Sequence, residues 1–307
     1  MRFGLEPPPE ANLRELVEIG KAAEEASFDS IWLSDLLSKV ELWSGVAALV
    51  LNTERLAVGT DVTNPFTRHP AVTAQALLTL QEASGGRVIL GMGSGMPEIL
   101  RKLGVERRDL RGVCEAMRII RSLLSGEEVR FEGEHFRISG FKLPFARKEE
   151  LAILGAALSP EEAEILSSEA DGIITISAHP GFLKALKRGR LVVWAPLALH
   201  EDESAALKIL RERWGLILAQ IISSLPQSSL ELLGLEGERE RAREALSSRD
   251  PSLLSERAFE SLALFGGGEE VRRKIGELER AGADELIFPI AGRGEIERIS
   301  EEIARRR

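Results

Sequence analysis

Two carboxylates stand where a side chain could donate or accept a proton, because Glu6 and Asp35 each follow a short apolar run. Three prolines come directly after Glu6, so its side chain has no evident role as a helix cap. We expect Glu6 to be a catalytic acid or an electrostatic partner, since burial among apolar groups raises a carboxyl pKa toward the useful range. Asp35 is expected to be the second catalytic residue, although it could instead cap the next helix.

Small and polar residues form three further groups, at 61–64, 91–95 and 155–159, each after an apolar run. Small side chains would leave room for a flat heterocycle, and backbone N–H groups there could hold its oxygens or a phosphate. Simpler explanations are turn chemistry at 64–70, a capping box at 159–162 and close backbone packing at the glycines. The candidate binding residues are Asp61, Val62, Thr63, Asn64, Gly93, Ser94, Gly95, Ala156, Ala157 and Ser159.

The order of apolar runs and amphipathic stretches predicts the fold class, an α/β protein with a (β/α)8 TIM barrel in one domain spanning residues 1–307. An open doubly wound sheet is the alternative, but residues 6–9 stand where its glycine-rich turn belongs. The predicted strands are 2–6, 30–34, 56–60, 87–92, 151–155, 171–176, 190–198 and 284–289.

Two stretches exceed what a plain barrel needs. Residues 126–150 carry no helical pattern and predict a hairpin insertion before strand five. Residues 201–281 hold more helix than one barrel unit requires, so extra helices are expected between strands seven and eight, covering the barrel mouth. In a parallel barrel the carboxyl ends of the strands carry the site, which is where all the candidate residues fall.

Composition limits the classes of partner. The formal net charge of −9, with scattered Lys and Arg, argues against a nucleic-acid partner. The longest apolar stretch, 216–222, is too short to cross a bilayer, the chain begins directly with a predicted strand, and the one cysteine, Cys114, cannot form an internal disulfide. We therefore expect a cytoplasmic protein that acts on a small molecule, without membrane attachment. The predicted outer helices are rich in Leu and Ala, which favours a homo-oligomer.

The motifs resemble those of the luciferase-like flavin and deazaflavin oxidoreductases, and most of all their methylenetetrahydromethanopterin reductase-like branch. The segment 62–70, Val-Thr-Asn-Pro-Phe-Thr-Arg-His-Pro, is the most specific match. The other matching segments, in chain order, are 3–6, 23–32, 34–35, 84–87, 170–172, 269–271 and 281–282.

This resemblance implies a barrel that holds coenzyme F420, with FMN as the alternative, and that transfers a hydride to a small organic acceptor such as a pterin-bound C1 imine. It also implies a non-prolyl cis peptide at Asp61–Val62. Leu36, Met96 and Glu161 replace residues that are polar or phosphate-compatible in many relatives. These replacements favour a divergent substrate, and they leave open a barrel that binds its cofactor but has lost catalysis.

A metal-dependent hydrolase is the remaining alternative. Asp35, His69, His179 and His200 all fall near predicted strand ends. No His-x-His pair or other close spacing of ligands accompanies them, so we expect no metal site.

Overall fold

Eight parallel strands close into a barrel in the computed structural model, which describes residues 1–105, 109–144, 146 and 151–304. Around the barrel the order is β1-β12-β9-β8-β7-β4-β3-β2, so the predicted (β/α)8 architecture is confirmed. The strands are β1 (Arg2–Glu6), β2 (Ser30–Leu33), β3 (Ala57–Thr60), β4 (Val88–Met92), β5 (Val129–Glu132), β6 (Arg137–Phe141), β7 (Ala152–Ala156), β8 (Gly172–Ile176), β9 (Arg190–Trp194), β10 (Leu197–Leu199), β11 (Leu264–Gly266) and β12 (Glu285–Pro289).

Helices surround the barrel and bury one apolar face each. In α1 that face consists of Leu16, Ile19, Gly20 and Ala23, and Asn12 and Glu15 close a capping box at its start. No helix in the described residues is long and apolar enough to cross a membrane. The helices are α1 (Leu13–Glu25), α2 (Leu42–Asn52), α3 (Pro70–Ser84), α4 (Pro97–Lys102), α5 (Leu110–Leu124), α6 (Pro160–Leu166), α7 (Pro180–Leu186), α8 (Glu203–Ser224), α9 (Gln227–Leu233), α10 (Glu238–Ser248), α11 (Glu256–Leu262), α12 (Gly268–Arg280) and α13 (Gly294–Ile299).

Both predicted insertions are present. β5 and β6 pair as an antiparallel hairpin before β7, although residues 145 and 147–150 of the predicted 126–150 segment lie outside the described part. The helices α8 to α12 fill the interval between β9 and β12.

The predicted strand 190–198 was wrong in its second half. β9 ends at Trp194, and the chain then leaves the barrel to form β10, which pairs with β11 in a separate two-stranded sheet. Pro196 lies at the change of direction, and a proline cannot donate the N–H that a continuing central strand needs. Trp194 is therefore the last barrel residue of β9, at the end where the site lies.

The amino-terminal end of the barrel is filled by a buried polar network around Glu285, which is fully buried. Its carboxylate accepts hydrogen bonds from the indole of Trp32 at 2.9 Å, from Arg190 at 2.5 Å and from the hydroxyl of Ser30. Gly59 is required beside Trp32, since a Cβ there would overlap the indole. These buried side chains fill the interior of the barrel near the amino-terminal ends of its strands.

The matched segment 84–87 has a structural role in the described fold. The guanidinium of Arg87 donates to the backbone oxygens of Ser84, Leu56, Val50 and Thr53, at distances of 2.6–3.0 Å. These bonds join the end of α2, the start of β3 and the end of α3. A planar donor fork suits four divergent carbonyls in a way that an ammonium cannot.

Candidate active site

A cavity of about 950 Å³, counting the solvent space at its mouth, lies at the carboxyl ends of the barrel strands. α8 forms one wall through Trp214, Ile217 and Ile221, so the extra helices cover the barrel mouth as predicted. The lining is mostly apolar, and its polar members from the described residues are Glu6, Ser34, Asp61 and Thr175. Such a cavity fits a largely apolar ligand that is oriented by a few polar groups.

Glu6 is the best-connected polar group of the cavity. Its Oε1 accepts a hydrogen bond from the Ser34 hydroxyl and its Oε2 accepts one from the indole N–H of Trp194, both at 2.5 Å. Burial raises the pKa of Glu6, and the two hydrogen bonds oppose that rise. Glu6 therefore lies in a buried and mostly apolar environment, as expected from the sequence.

Asp61 lies in the same cavity and has a different environment. The peptide bond between Asp61 and Val62 is cis, as the resemblance implied. Both carboxylate oxygens of Asp61 are buried and have no hydrogen-bond partner among the described residues. Burial raises the pKa of Asp61 well above its ordinary value, and repulsion from Glu6 raises it further.

Val62 is held in the cavity wall by glycines on β4 and just after it. A Cβ at Gly91 would lie 2.1 Å from the oxygen of Thr60, and one at Gly93 would lie 2.9 Å from the Cβ of Ala156 and 3.1 Å from a methyl of Val62. The glycines thus permit the close approach of the chain after β3 to the end of β4. Their role here is to position Val62, because Gly93 is not itself among the lining residues.

Asp35 lies beside the cavity, between the lining residues Ser34 and Leu36. The alternative that it caps the next helix is wrong, because Glu41 caps α2 and accepts from the backbone N–H of Ser44. Asp35 instead accepts a hydrogen bond from the hydroxyl of Thr63 at 2.8 Å. Burial raises its pKa, and the carboxylate of Glu41 adds to the rise.

The predicted binding residues divide into two groups. Asp61, Val62, Ala156 and Ala157 line the cavity. Outside its lining lie Thr63, Asn64, Gly93, Ser94, Gly95 and Ser159.

Two members of the second group have local structural roles that the simpler explanations anticipated. The side-chain oxygen of Asn64 accepts from the backbone N–H groups of Phe66 and Thr67, both at 3.0 Å, which is turn chemistry. Ser159 caps α6 by accepting from the N–H of Glu162, whose own carboxylate accepts from the N–H of Leu158. The start of α6 therefore already uses the N–H groups of Leu158 and Glu162 within the chain.

Sequence reasoning missed Trp194 and Trp214. Their rings meet edge to face at 6.1 Å between centroids, and both line the cavity. Trp194 could have been found if the break at Pro196 had ended the strand. Trp214 belongs to a long helix whose orientation the sequence does not fix.

The histidines of the metal alternative serve other purposes. The Nδ1 atom of His69 accepts from the N–H of Ala71, and that of His179 accepts from the N–H of Phe182, so both are helix caps. Across the described ranges, no three His, Cys, Asp or Glu side chains come together as a metal site would require.

A closed parallel barrel with an acidic, mostly apolar cavity at the carboxyl ends of its strands defines the general class of an α/β-barrel enzyme. Residues 1–285 match the luciferase-like monooxygenase family, and the chain belongs to that family. It is a luciferase-like oxidoreductase, in a family whose members depend on F420 or on flavin.

Individual relatives cover almost the whole chain. The 5,10-methylenetetrahydromethanopterin reductase of Archaeoglobus fulgidus is 29% identical over 94% of this chain and 92% of its own length. The structure of the coenzyme F420 dependent tetrahydromethanopterin reductase from Methanopyrus kandleri superimposes with a TM-score of 0.82, at 23% identity and 98% coverage of each chain. The oxygenating constituent of 3,6-diketocamphane monooxygenase from Pseudomonas putida, solved with FMN, gives a TM-score of 0.70 at 18% identity, over all of this chain and 98% of its own.

Proposed function

We propose that this protein is a coenzyme F420-dependent oxidoreductase that transfers a hydride between the deazaflavin and a small organic acceptor. The observation that carries the proposal is the apolar cavity whose wall is formed by Val62 and whose polar end holds Glu6. The sequence relation to a methylenetetrahydromethanopterin reductase supports it and favours a pterin-bound C1 imine as the acceptor.

The residues of the cavity fit the ring of such a cofactor. Val62, Ala156 and Trp194 would contact its flat faces and edges, because they are the apolar groups around the strand ends. Glu6 would lie beside it as the acidic group. The N–H groups of Leu158 and Glu162 at the start of α6 are already bonded within the chain, so these two groups would not hold a phosphate-bearing tail.

Coenzyme F420, when bound, supplies a hydride and does not support the oxygen chemistry of flavins. The protein then has to orient the acceptor, exclude water and provide a nearby acid. α8 covers one side of the cavity with apolar side chains that would help to exclude water, and the carboxyl groups of Glu6 and Asp61 are the acids in the lining.

FMN is the second candidate cofactor, and the FMN complex of a protein with the same fold is the reason to test it. Equilibrium dialysis of the purified chain against F420 and against FMN, read by absorbance, separates the two. Retention of F420 alone supports the proposal, whereas retention of FMN alone contradicts it. F420 retention without turnover of any hydride acceptor would indicate the barrel that has lost catalysis.

We also propose that residues 1–307 act as one domain, in the cytoplasm, on a small-molecule substrate, without nucleic acid or membrane, and as a homo-oligomer. The net charge of −9 supports the exclusion of nucleic acid. Sedimentation of the purified protein tests the oligomeric state.

A further inference from the structure

Asp61 and Glu6 are two carboxyl groups in one cavity, and their hydrogen-bonding environments are opposite. Glu6 accepts from Ser34 and from Trp194, whereas the oxygens of Asp61 accept from none of the described residues. An indole N–H can only donate, so Oε2 of Glu6 has to act as an acceptor. Hydrogen bonds from donors stabilise the charged form of a carboxyl group, and Glu6 receives two from side chains whereas Asp61 receives none from a described side chain.

No cation is placed to neutralise a second charge. The cavity lining contains no lysine, arginine or histidine from the described part of the chain. Charged groups on the neighbouring elements are Asp35 after β2, which accepts a hydrogen bond from Thr63, and Arg68, which lies over the ring of Trp43 at 5.5 Å. Arg68 attracts Asp35, and burial and repulsion from Glu6 are what raise the pKa of Asp61. Two ionised carboxylates in such a place repel each other strongly, so one proton is retained.

We propose that Glu6 and Asp61 hold one proton between them at neutral pH and that this proton resides on Asp61, which makes Asp61 the neutral acid and Glu6 the carboxylate of the pair. The assignment follows from the two donors at Glu6 and the unpaired, buried oxygens at Asp61. The raised pKa values of both groups agree with a retained proton.

The pair gives the cavity a stored proton. A reduction that adds a hydride to a neutral acceptor also needs a proton, and this consequence rests on the proposed function. The location of the proton does not depend on the proposed function, because it can be measured on the protein without cofactor. Asp61 is therefore a proton-holding residue that acts next to Glu6, and Glu6 is the charged group that faces the ligand.

Infrared difference spectroscopy of carboxyl stretching, with exchange into D2O, tests the assignment on the purified full chain. The wild type at pH 7 should show a protonated-carboxyl band that Asp61→Asn removes. Asp35→Asn is the matched control and should keep the band. The proposal is overturned if the wild type lacks the band at pH 7 or if the band persists unchanged in Asp61→Asn.

Glu6→Gln distinguishes which residue carries the proton, and it keeps the proposal testable if Asp61→Asn does not fold. This substitution removes the repelling charge, so the band should remain and should titrate at lower pH than in the wild type. Burial alone should still raise the pKa of Asp61 in this variant, so a band that titrates no higher than an ordinary aspartic acid would assign the wild-type proton to Glu6 and overturn the proposal. These spectra are recorded without cofactor. Failure of the protein to bind F420 would therefore contradict the proposed function and would not bear on the location of the proton.

A second readout is stability against pH. An acid with a raised folded pKa binds its proton more tightly in the native state, so stability falls as pH rises from the unfolded pKa of about 4 through the folded pKa. The free energy of unfolding of Asp61→Asn should therefore fall less between pH 4 and pH 8 than that of the wild type. Parallel stability curves for the two proteins would contradict the assignment.

Discussion

Trp194 on β9 and Glu6 on β1 are joined by a hydrogen bond of 2.5 Å from the indole N–H to Oε2, which spans β12 at the carboxyl end of the barrel. The bond fixes the carboxylate against one wall of the cavity. It also makes Trp194 a residue with two roles, since its ring packs against Trp214 on the helix that covers the mouth.

Replacement of Trp194 by Phe should keep much of the packing and remove the donor. We expect a loss of about 1–3 kcal/mol in the free energy of unfolding, because a buried charged acceptor is left with one bond fewer. The loss should be larger at pH 8 than at pH 5, since the donor stabilises the ionised form of Glu6. Urea unfolding at the two pH values measures it, with Trp214→Phe as the control. An equal loss at both pH values would contradict this role.

Glu24 at the end of α1 stabilises the loop before β3. Its carboxylate accepts from the backbone N–H groups of Glu54, Arg55 and Leu56. Burial pushes its pKa up, but these bonds outweigh burial and the pKa is lowered. A lowered folded pKa gives stability that is present above the unfolded pKa and is lost as pH falls.

Glu24→Gln should therefore destabilise the protein by about 1–2 kcal/mol at pH 7, and the difference from the wild type should shrink as pH falls below about 4. Chemical unfolding across that pH range measures the effect. Glu25→Gln, at the exposed neighbouring position, is the control and should change little. A difference that stays constant down to low pH would show that the charge of Glu24 is not the cause.

Arg87 should not tolerate lysine. The ammonium has three donors, whereas the guanidinium bonds four backbone oxygens and the hydroxyl of Thr53. We expect Arg87→Lys to cost about 2–3 kcal/mol, because at least one buried carbonyl loses its partner. Arg55→Lys, at an exposed position nearby, should be nearly neutral in the same unfolding assay. If Arg87→Lys and Arg55→Lys were equally stable, the structural role assigned to Arg87 would be wrong.

Gly93→Ala should disturb the wall at Val62. A Cβ there would come within 2.9 Å of Ala156 and 3.1 Å of Val62, so one of these lining residues has to move. We expect a cost of about 1–3 kcal/mol, together with weaker retention of whichever cofactor the wild type holds. Gly292→Ala is the control, because no atom lies within 4 Å of a Cβ at that position. Unchanged cofactor retention in Gly93→Ala would show that Gly93 does not influence cofactor binding.

Most of the barrel could be predicted because each strand is a short apolar run closed by polar or small residues. The exception is the end of β9, where the apolar run continues through Pro196 to Leu199 although the chain changes sheets. The hydrophobicity of a residue indicates that it is buried but not which strand it pairs with. An apolar segment that passes from one sheet to another therefore reads as one continuous strand in the sequence.

The site was predictable only in part, for a related reason. Glu6 could be found because no structural role was available to it. Gly93 and Ser159 were expected beside the cofactor because small and hydroxyl residues suit a ligand, but those properties also suit close packing and helix capping, which the structure assigns to them. No pattern in the sequence indicated that the side chain of Asp61 would lack hydrogen-bond partners, because that depends on how the neighbouring side chains are placed in the folded barrel.

The buried network around Glu285 has a consequence for traffic through the molecule. Trp32 and its partners fill the barrel interior, so the described residues leave no route through the barrel from the cavity to the amino-terminal end. A ligand of this cavity therefore has to be exchanged on the side of the barrel where the carboxyl ends of the strands and α8 lie.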